Sequence, residues 1–214
     1  MQKYISEFIG TFILLVSIVG SGIAGQQYTN DQMVILFSHA LVIGFTLIFI
    51  IRIFANFSGA HFNPLVSIIF FLLQELSARD LFLYILIQII AAVLGTLFAN
   101  YIFGLNVIEI SSNIRSGANI YISEIFAATG LLLVILLSRA DGKNVVSFNV
   151  GIYITAALIF TSSTSFANPA VTIARMFTES FTGINPSTVI FFITCQVIGM
   201  FAAYILYNQF FKSK

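Results

Sequence analysis

Hydrophobic residues lie along this chain in six long stretches, separated by short segments rich in Gly, Asn, Ser and charged residues. A helix that crosses a bilayer needs about 20 predominantly apolar residues, and each stretch approaches or reaches that length. The first is expected to be retained as a span rather than removed as a signal peptide, because equal stretches follow it. The pattern therefore predicts six spanning helices, at Tyr4–Ala24, Met33–Phe54, Leu81–Phe103, Ile120–Leu137, Val145–Phe160 and Thr188–Phe210.

Two further apolar pieces, Asn63–Leu73 and Asn168–Phe177, are only about half as long as a span. Each begins with Asn-Pro, and Asn suits a helix N-cap while Pro suits the first helical position. The two pieces share a motif of Asn, Pro, an apolar residue, Val and a hydroxyl residue. They read Asn63-Pro64-Leu65-Val66-Ser67 and Asn168-Pro169-Ala170-Val171-Thr172. The sequence therefore predicts two re-entrant half-helices.

Composition places the chain in the membrane. Of its 214 residues, 59% are hydrophobic and 8% are charged, and its mean hydropathy is +1.02, which is far above that of soluble domains. We expect an integral membrane protein with a single domain over residues 1–214. A net charge of +1 gives no reason to expect a nucleic-acid partner, and one cysteine, Cys195, excludes an intrachain disulfide.

Positive charges predict the orientation. With the N-terminus inside, one loop residue, Arg115, lies outside and Arg175 lies in the second half-helix, while the remaining cations face the cytoplasm. Those are Lys3, Arg52, Arg79, Arg139, Lys143, Lys212 and Lys214. Cytoplasmic loops of membrane proteins carry such an excess of Lys and Arg. We expect a multi-pass plasma-membrane protein with both termini in the cytoplasm.

The two halves of the chain repeat one another. Ser6-Glu7 in the first span matches Ser123-Glu124 in the fourth, and Gln88 in the third span matches Gln196 in the sixth. Each repeat holds three spans, so the second must enter the membrane from the opposite face. The prediction is an inverted repeat, with repeat one at about residues 1–105 and repeat two at about 118–214, whose half-helices meet near the bilayer midplane.

Elementary chemistry suggests what such a meeting point does. An N-capping Asn turns its side-chain oxygen toward its own helix, which leaves the NH2 groups of Asn63 and Asn168 free to donate into a lumen. Both half-helices also direct positive dipole ends at the midplane, which opposes cations and protonated water chains. We therefore expect a pore for uncharged solutes.

Glu7 in a span, the sequence His61-Phe62-Asn63-Pro64 and the second Asn168-Pro169-Ala170, arranged in inverted repeats, resemble the major intrinsic protein family of aquaporins and glycerol facilitators. The resemblance covers the whole chain. It implies an all-α membrane protein with six transmembrane helices and two half-helices, assembled as a homotetramer with one pore in each protomer. It implies no cofactor and no enzymatic chemistry.

Two glutamates and two histidines lie in or beside these elements. An ionisable group in a span is costly and needs a function. For Glu7 and Glu124 there are two alternatives. They relay protons, or they hold the re-entrant loops by hydrogen bonds, which is the role that the resemblance implies. His61 is expected to fix its loop, and no metal is expected because no Cys, Asp or Glu stands near it at ligand spacing. His39 faces the lumen or binds a neighbouring helix.

The resemblance also implies an outer selectivity constriction of four residues, Ile43, Ala156, Ser165 and Val171. Most family members have Arg where Val171 stands, so the constriction is expected to be wider and more apolar than a water-selective one. Leu65 replaces the usual Ala, which leaves its effect on pore width open. Arg175 follows Val171 by four residues, one turn along the same helix face. It either reaches the lumen or pairs with Glu179 or loop carbonyls.

Residues 161–175 resemble the bacterial branch of the family that lacks the filter Arg, and this branch is linked to metalloid hydroxides such as arsenite. The expected function is passive conduction of small neutral solutes: water with glycerol, urea or metalloid hydroxides. One alternative is a water-selective aquaporin in which Arg175 rebuilds the filter. Others are a proton-coupled secondary transporter that uses Glu7 or Glu124, and an adhesion protein with a vestigial pore.

Overall fold

The computed structural model describes residues 1–211 and contains α-helices of two lengths. Six are long and apolar enough to cross a membrane: α1 (Gln2–Tyr28), α2 (Gln32–Ser58), α4 (Ala78–Ile102), α5 (Ala118–Ser138), α6 (Lys143–Phe160) and α8 (Pro186–Leu206). Two are short: α3 (Pro64–Leu72) and α7 (Pro169–Ala174). The predicted fold is confirmed. Lys212 and Lys214, which belong to the orientation prediction, lie outside the described residues.

Several long helices extend beyond the apolar stretches that predict them. Helix α1 continues through Gly25 to Tyr28, and α2 continues to Ser58. The turn between them is short because Asp31 caps α2, its Oδ1 accepting from the Met33 N–H at 2.8 Å and the Val34 N–H at 3.2 Å. Polar helix ends reach past the hydrocarbon core, so the hydropathy pattern underestimates their length.

The half-helices begin as the Asn-Pro motifs predict. Asn63 Oδ1 accepts from the Leu65 N–H at 2.9 Å, and Asn168 Oδ1 accepts from the Ala170 N–H at 3.0 Å. In both helices Pro occupies the first position, where it has no N–H to leave unpaired. Helix α7 ends at Ala174 and continues as one 3₁₀ turn over Arg175–Phe177.

The two halves pack in the same way. Helix α1 packs against α2 and α4, and α5 packs correspondingly against α6 and α8, while contacts between α2 and α6 and between α3 and α7 join the halves. Glycine permits the close approaches: a Cβ atom on Gly95 would lie 2.6 Å from the carbonyl oxygen of Phe12, and one on Gly199 would lie 2.6 Å from that of Ile125. This packing agrees with the inverted repeat and places the half-helix tips in the interior.

The segment after α4 supports the second half-helix. The Ser111 N–H donates to the Met176 carbonyl at 2.9 Å, and the Asn185 N–H donates to the Asn113 carbonyl at 2.8 Å. Arg115 donates from Nε to the Gly183 carbonyl and from an amino group to the Phe181 carbonyl, both at 2.9 Å. These bonds fix the chain that follows α7.

Candidate functional site

The tips of the two half-helices are joined by reciprocal hydrogen bonds. Asn63 Nδ2 donates to the Ala167 carbonyl and Asn168 Nδ2 donates to the Phe62 carbonyl, each at 2.8 Å. The sequence prediction assigned these NH2 groups to the lumen alone. Each amide instead uses one hydrogen to bind the opposite loop and retains a second. Both asparagines border a central cavity, so the second hydrogen remains available to a solute.

Glu7 organises the first re-entrant loop from a fully buried position. Its Oε1 accepts from Ser58 Oγ at 2.7 Å and from the His61 N–H at 2.9 Å. Its Oε2 accepts from the Phe62 N–H and from Gln88 Nε2, both at 2.8 Å. Four donors therefore compensate the burial of this carboxylate.

Glu124 is the equivalent residue for the second loop. It accepts from the Ala167 N–H at 2.6 Å, the Phe166 N–H at 3.3 Å and Gln196 Nε2 at 2.8 Å. Gln196 also donates to Thr172 Oγ1 at 2.8 Å, as Gln88 donates to Ser67 Oγ at 3.1 Å in the first half. Neither Glu7 nor Glu124 borders the central cavity. This geometry favours the scaffold role over the proton relay.

Both loops turn through left-handed backbone at residues that are not glycine. The values of φ are 53° at Ala60 and 48° at Phe62 in the first loop, and 43° at Ser165 and 46° at Ala167 in the second. Such conformations cost of order 1–3 kcal/mol each and persist where surrounding contacts fix them. Phe62 and Ala167 each donate an N–H to a glutamate and accept from the opposite asparagine, so these bonds oppose the strain.

His61 is part of the first loop and borders the cavity. Its Nδ1 shares a 3.1 Å hydrogen bond with Ser67 Oγ, and its ring lies 5.3 Å from the ring of Tyr84. The Tyr84 hydroxyl donates to the Ser58 carbonyl at 2.8 Å. The sequence analysis did not identify Ser58, Ser67 and Tyr84 as residues that support the loop. The hydroxyl residue that ends each repeated motif, Ser67 or Thr172, was a signal for the contacts with Gln88 and Gln196. No group of His, Cys, Asp and Glu residues suited to a metal occurs among the described residues.

The central cavity has a volume of about 430 Å³ and a mostly apolar wall. Its polar lining comes mainly from the two re-entrant loops and includes Asn63, Asn168 and Ser165. Three cationic residues border it: Arg139 at the end of α5, Lys143 at the beginning of α6, and Arg175 directly after α7. Arg139 forms an ion pair with Glu75 at 2.6 Å. A wall of this kind offers hydrogen bonds at a few positions and little attraction to a hydrated ion.

Three of the four predicted constriction residues, Ile43, Ser165 and Val171, border this cavity. The fourth assignment, Ala156, is wrong, since Ala156 is exposed on the outer face of α6. The face of α6 toward the cavity carries residues four apart, and they are Val146, Val150, Ile154 and Leu158. Ala156 lies two residues from both Ile154 and Leu158, which is about 200° around the helix. The family resemblance assigns a position along the chain but does not determine which face of α6 turns inward.

Leu65 does not narrow the pore. It is fully buried in the core and does not border the cavity, whereas its neighbour Val66 does. His39 also lies away from the cavity lining, and its Nδ1 shares a 2.7 Å hydrogen bond with Ser21 Oγ of α1. Of the two alternatives for His39, the described geometry is the bond to a neighbouring helix.

Arg175 combines both arrangements that the sequence left open. It borders the cavity, and its Nε donates to the carbonyl of Thr182. Its guanidinium carbon lies 3.5 Å from the centre of the Phe166 ring. Glu179 is not its partner, because Glu179 accepts from the backbone and hydroxyl of Ser112.

The comparisons with known proteins all point to one family of membrane proteins. Residues 1–165 match the family model described as major intrinsic protein. The chain is 38% identical over 205 residues to aquaglyceroporin AqpS of Rhizobium meliloti strain 1021, covering 96% of this chain and 88% of that protein. It is 26% identical over 161 residues to nodulin-26 of Glycine max, covering 74% of this chain and 58% of that protein.

The same fold occurs in a solved structure. The X-ray structure of the aquaglyceroporin from Plasmodium falciparum superposes with a TM-score of 0.76, at 22% sequence identity, over 98% of this chain and 96% of that one.

Proposed function

This chain belongs to the major intrinsic protein family of membrane channels, and we propose that its pore passively conducts glycerol, urea and neutral metalloid hydroxides together with water. The similarity to an aquaglyceroporin over nearly the whole chain supports a solute wider than water. The observation that carries the proposal is the side chain after the second Asn-Pro-Ala. Val171 borders the cavity there together with Ile43 and Leu158, so three aliphatic groups form a wall that a polyol's carbon face can contact.

Rejection of ions follows from the same residues. The amides of Asn63 and Asn168 present donors to the middle of the pore, and the positive dipole ends of α3 and α7 point there, which opposes a cation. A hydrated ion that entered the aliphatic wall would lose its water without replacement. A neutral solute loses less hydration free energy than an ion, because its hydrogen bonds to water are fewer and weaker.

Stopped-flow measurement on proteoliposomes of the full chain tests this function. We expect glycerol, urea and arsenous acid to enter faster than into empty liposomes, with no added leak of Na⁺ or H⁺. Brisk water flow without glycerol or urea flow would support the water-selective alternative instead. Accumulation of a solute against its gradient, abolished by an uncoupler, would support the proton-coupled transporter.

The proposed roles of individual residues follow from their positions. Ile43, Ser165, Val171 and Leu158 form the selectivity constriction, while Glu7, Glu124 and His61 hold the loops. Asn63 and Asn168 bind the passing solute with their second amide hydrogens. The whole chain acts as one channel unit composed of two repeats, in the plasma membrane with both termini in the cytoplasm, and four chains form a homotetramer as family members typically do.

A further inference from the structure

We infer that Arg52 of α2 and Lys143 of α6 form a binding site for the phosphate group of an anionic phospholipid. The site lies on the outer surface of the protein, where the end of α2 meets the beginning of α6. The inference goes beyond the proposed function, because it does not depend on which solute the pore conducts.

Helices α2 and α6 lie against each other and run antiparallel. A Cβ atom on Gly151 would lie 2.6 Å from the Gly44 carbonyl oxygen, so the backbones meet near the middle of both helices. Twelve residues later on α2 the contact has moved back to the first residue of α6, where Lys143 Nζ donates to Asn56 Oδ1 at 2.9 Å. Arg52 lies one turn before Asn56, which places it between these two contacts.

Arg52 and Lys143 are exposed cations without a carboxylate partner in the described part of the chain. The ion pairs within residues 1–211 are Lys3–Asp80 and Arg139–Glu75. The side chain of a helical residue covers the turn that precedes it, so the Asn56 amide holds the Lys143 ammonium on the side of Arg52. Like charges repel, and an anion that binds both cations relieves this repulsion.

The surface around Arg52 is apolar. Phe49 and Ile53 on α2 and Phe148 on α6 are each about half exposed. On a spanning helix such side chains face lipid. A charged side chain among them is costly unless it reaches a polar group at the membrane surface.

The depth of Arg52 suits a lipid phosphate. Helix α2 has 27 residues, which gives a length of about 40 Å, and the hydrocarbon core is about 30 Å thick. A centred helix therefore projects about 5 Å at each end. Arg52 lies about 9 Å before the end of α2 at Ser58, so its Cα atom is about 4 Å inside the hydrocarbon. An arginine side chain is long enough to reach the headgroups from there.

The chemistry of the two side chains fits a phosphate monoanion. A guanidinium donates two parallel N–H bonds to paired oxygens, and an ammonium adds a point charge. A second copy of this chain is a poorer partner for Arg52, because it would have to supply a carboxylate at the same depth. The carboxylates within the described spans are Glu7 and Glu124, which are fully buried, and Asp80, which pairs with Lys3.

Native mass spectrometry of the full chain in mild detergent tests the site. Phosphatidylglycerol or phosphatidylcholine is added, and the ratio of the two affinities is measured, with phosphatidylcholine as the reference for folded protein. We expect the unmodified chain to prefer phosphatidylglycerol by at least about tenfold. Arg52→Gln and Lys143→Gln should each lower this preference about fivefold, the contribution of one cation beside an anionic headgroup.

Arg79→Gln is the matched control. Arg79 is also an exposed cation, but it lies at the start of α4, beside the Lys3–Asp80 ion pair. Its substitution removes the same charge from the protein, and the preference should stay within about twofold of that of the unmodified chain. The control thereby separates a specific site from general attraction between a cationic protein and anionic lipid.

Equal affinity of the unmodified chain for the two lipids overturns the inference, and so does an equal fall in Arg79→Gln. Displacement of phosphatidylglycerol by the same concentration of inorganic phosphate would assign the site to a free anion and overturn the lipid. A changed oligomeric mass in Arg52→Gln with an unchanged lipid preference would assign the surface to a second copy. Solute flux does not enter this test, so its failure leaves the proposed function intact.

Discussion

The proposed constriction depends on the size of the side chain at position 171, which forms part of the aliphatic wall of the cavity. Val171 is small and apolar, and it borders the cavity one helical turn before Arg175. An arginine at position 171 would place a second guanidinium near the first, where like charges repel. It would also fill space that a polyol requires.

We therefore expect Val171→Arg to lower glycerol permeability by at least about tenfold, which corresponds to roughly 1.4 kcal/mol of added barrier. Val171→Ala keeps the position apolar and uncharged without added bulk and serves as the control, with glycerol permeability expected not to fall below that of the unmodified chain. Stopped-flow light scattering on proteoliposomes measures both. Unaltered glycerol entry in Val171→Arg would remove Val171 from the constriction.

The correction on α6 leads to a second prediction about individual residues. Leu158 faces the cavity, whereas Ala156 is exposed on the opposite side of the helix. A phenylalanine at position 158 would extend into the pore, so Leu158→Phe should lower glycerol permeability about tenfold. Ala156→Phe should leave it within about twofold, since the added ring points outward. The reverse result would restore the original assignment of Ala156.

At the level of whole elements, the re-entrant loops depend on two buried carboxylates. Glu7 accepts four hydrogen bonds, from the loop backbone, Ser58 and Gln88. A glutamine at this position has one oxygen, and its NH2 group would face N–H donors instead of accepting from them. Each substituted loop would lose the bonds that oppose its left-handed backbone.

We expect Glu7→Gln and Glu124→Gln each to reduce the free energy of unfolding by about 3 kcal/mol or more, the usual cost of breaking a buried charged network. The thermal unfolding midpoint in detergent measures the loss. Glu75→Gln is the matched control because it removes a carboxylate from the partly exposed pair with Arg139, for which about 1 kcal/mol or less is expected. Equal midpoints for all three variants would contradict the scaffold role.

The half-helices were predictable from the sequence, whereas the loops that precede them were not. Asn63-Pro64 and Asn168-Pro169 combine a cap with a helix start, so the first residues of α3 and α7 are predictable to within one residue. The loops before them are not. Left-handed backbone there falls on Ala60, Phe62, Ser165 and Ala167, residue types with no preference for that region, and it is the distant Glu7 and Glu124 that impose it.

The constriction was harder to predict where it involves a span, because the rotation of the helix about its axis decides which residues face the cavity. Ile43, Ser165 and Val171 were assigned by resemblance, and all three border the cavity. Helix α6 has no motif, and apolar residues occupy more than one of its faces, as at Ile152 and Ile154. Its lining face is therefore set by packing against α2 and α5, which a single sequence does not reveal. The rotation of α2 is likewise not evident from the sequence, which is why the sequence left open whether His39 faces the lumen or a neighbouring helix.

At the scale of the whole molecule, the described protein leaves many large apolar side chains exposed along its spans, among them Phe45, Phe49 and Phe126. Lipid covers such side chains in a monomer, and neighbouring chains cover part of them in an assembly. We expect native mass spectrometry of the protein in mild detergent to give four times the mass of one chain. A single-chain mass at all detergent concentrations would contradict the proposed homotetramer.

The proposed orientation of the chain is based on the distribution of its charges, and the presence of one cysteine makes it straightforward to test. Cys195 is buried and a free cysteine packs as a small hydrophobic residue, so a Cys195→Ala background should fold and carry no thiol. Tyr28 lies at the end of α1 and is 86% exposed, while Asp141 lies exposed between α5 and α6. With both termini in the cytoplasm, Tyr28→Cys faces outward and Asp141→Cys faces inward. A membrane-impermeant maleimide applied to intact cells should then label the first variant and not the second, and both should react after lysis. Labelling of Asp141→Cys alone in intact cells would invert the proposed topology, because an odd number of spans separates the two positions and no orientation exposes both.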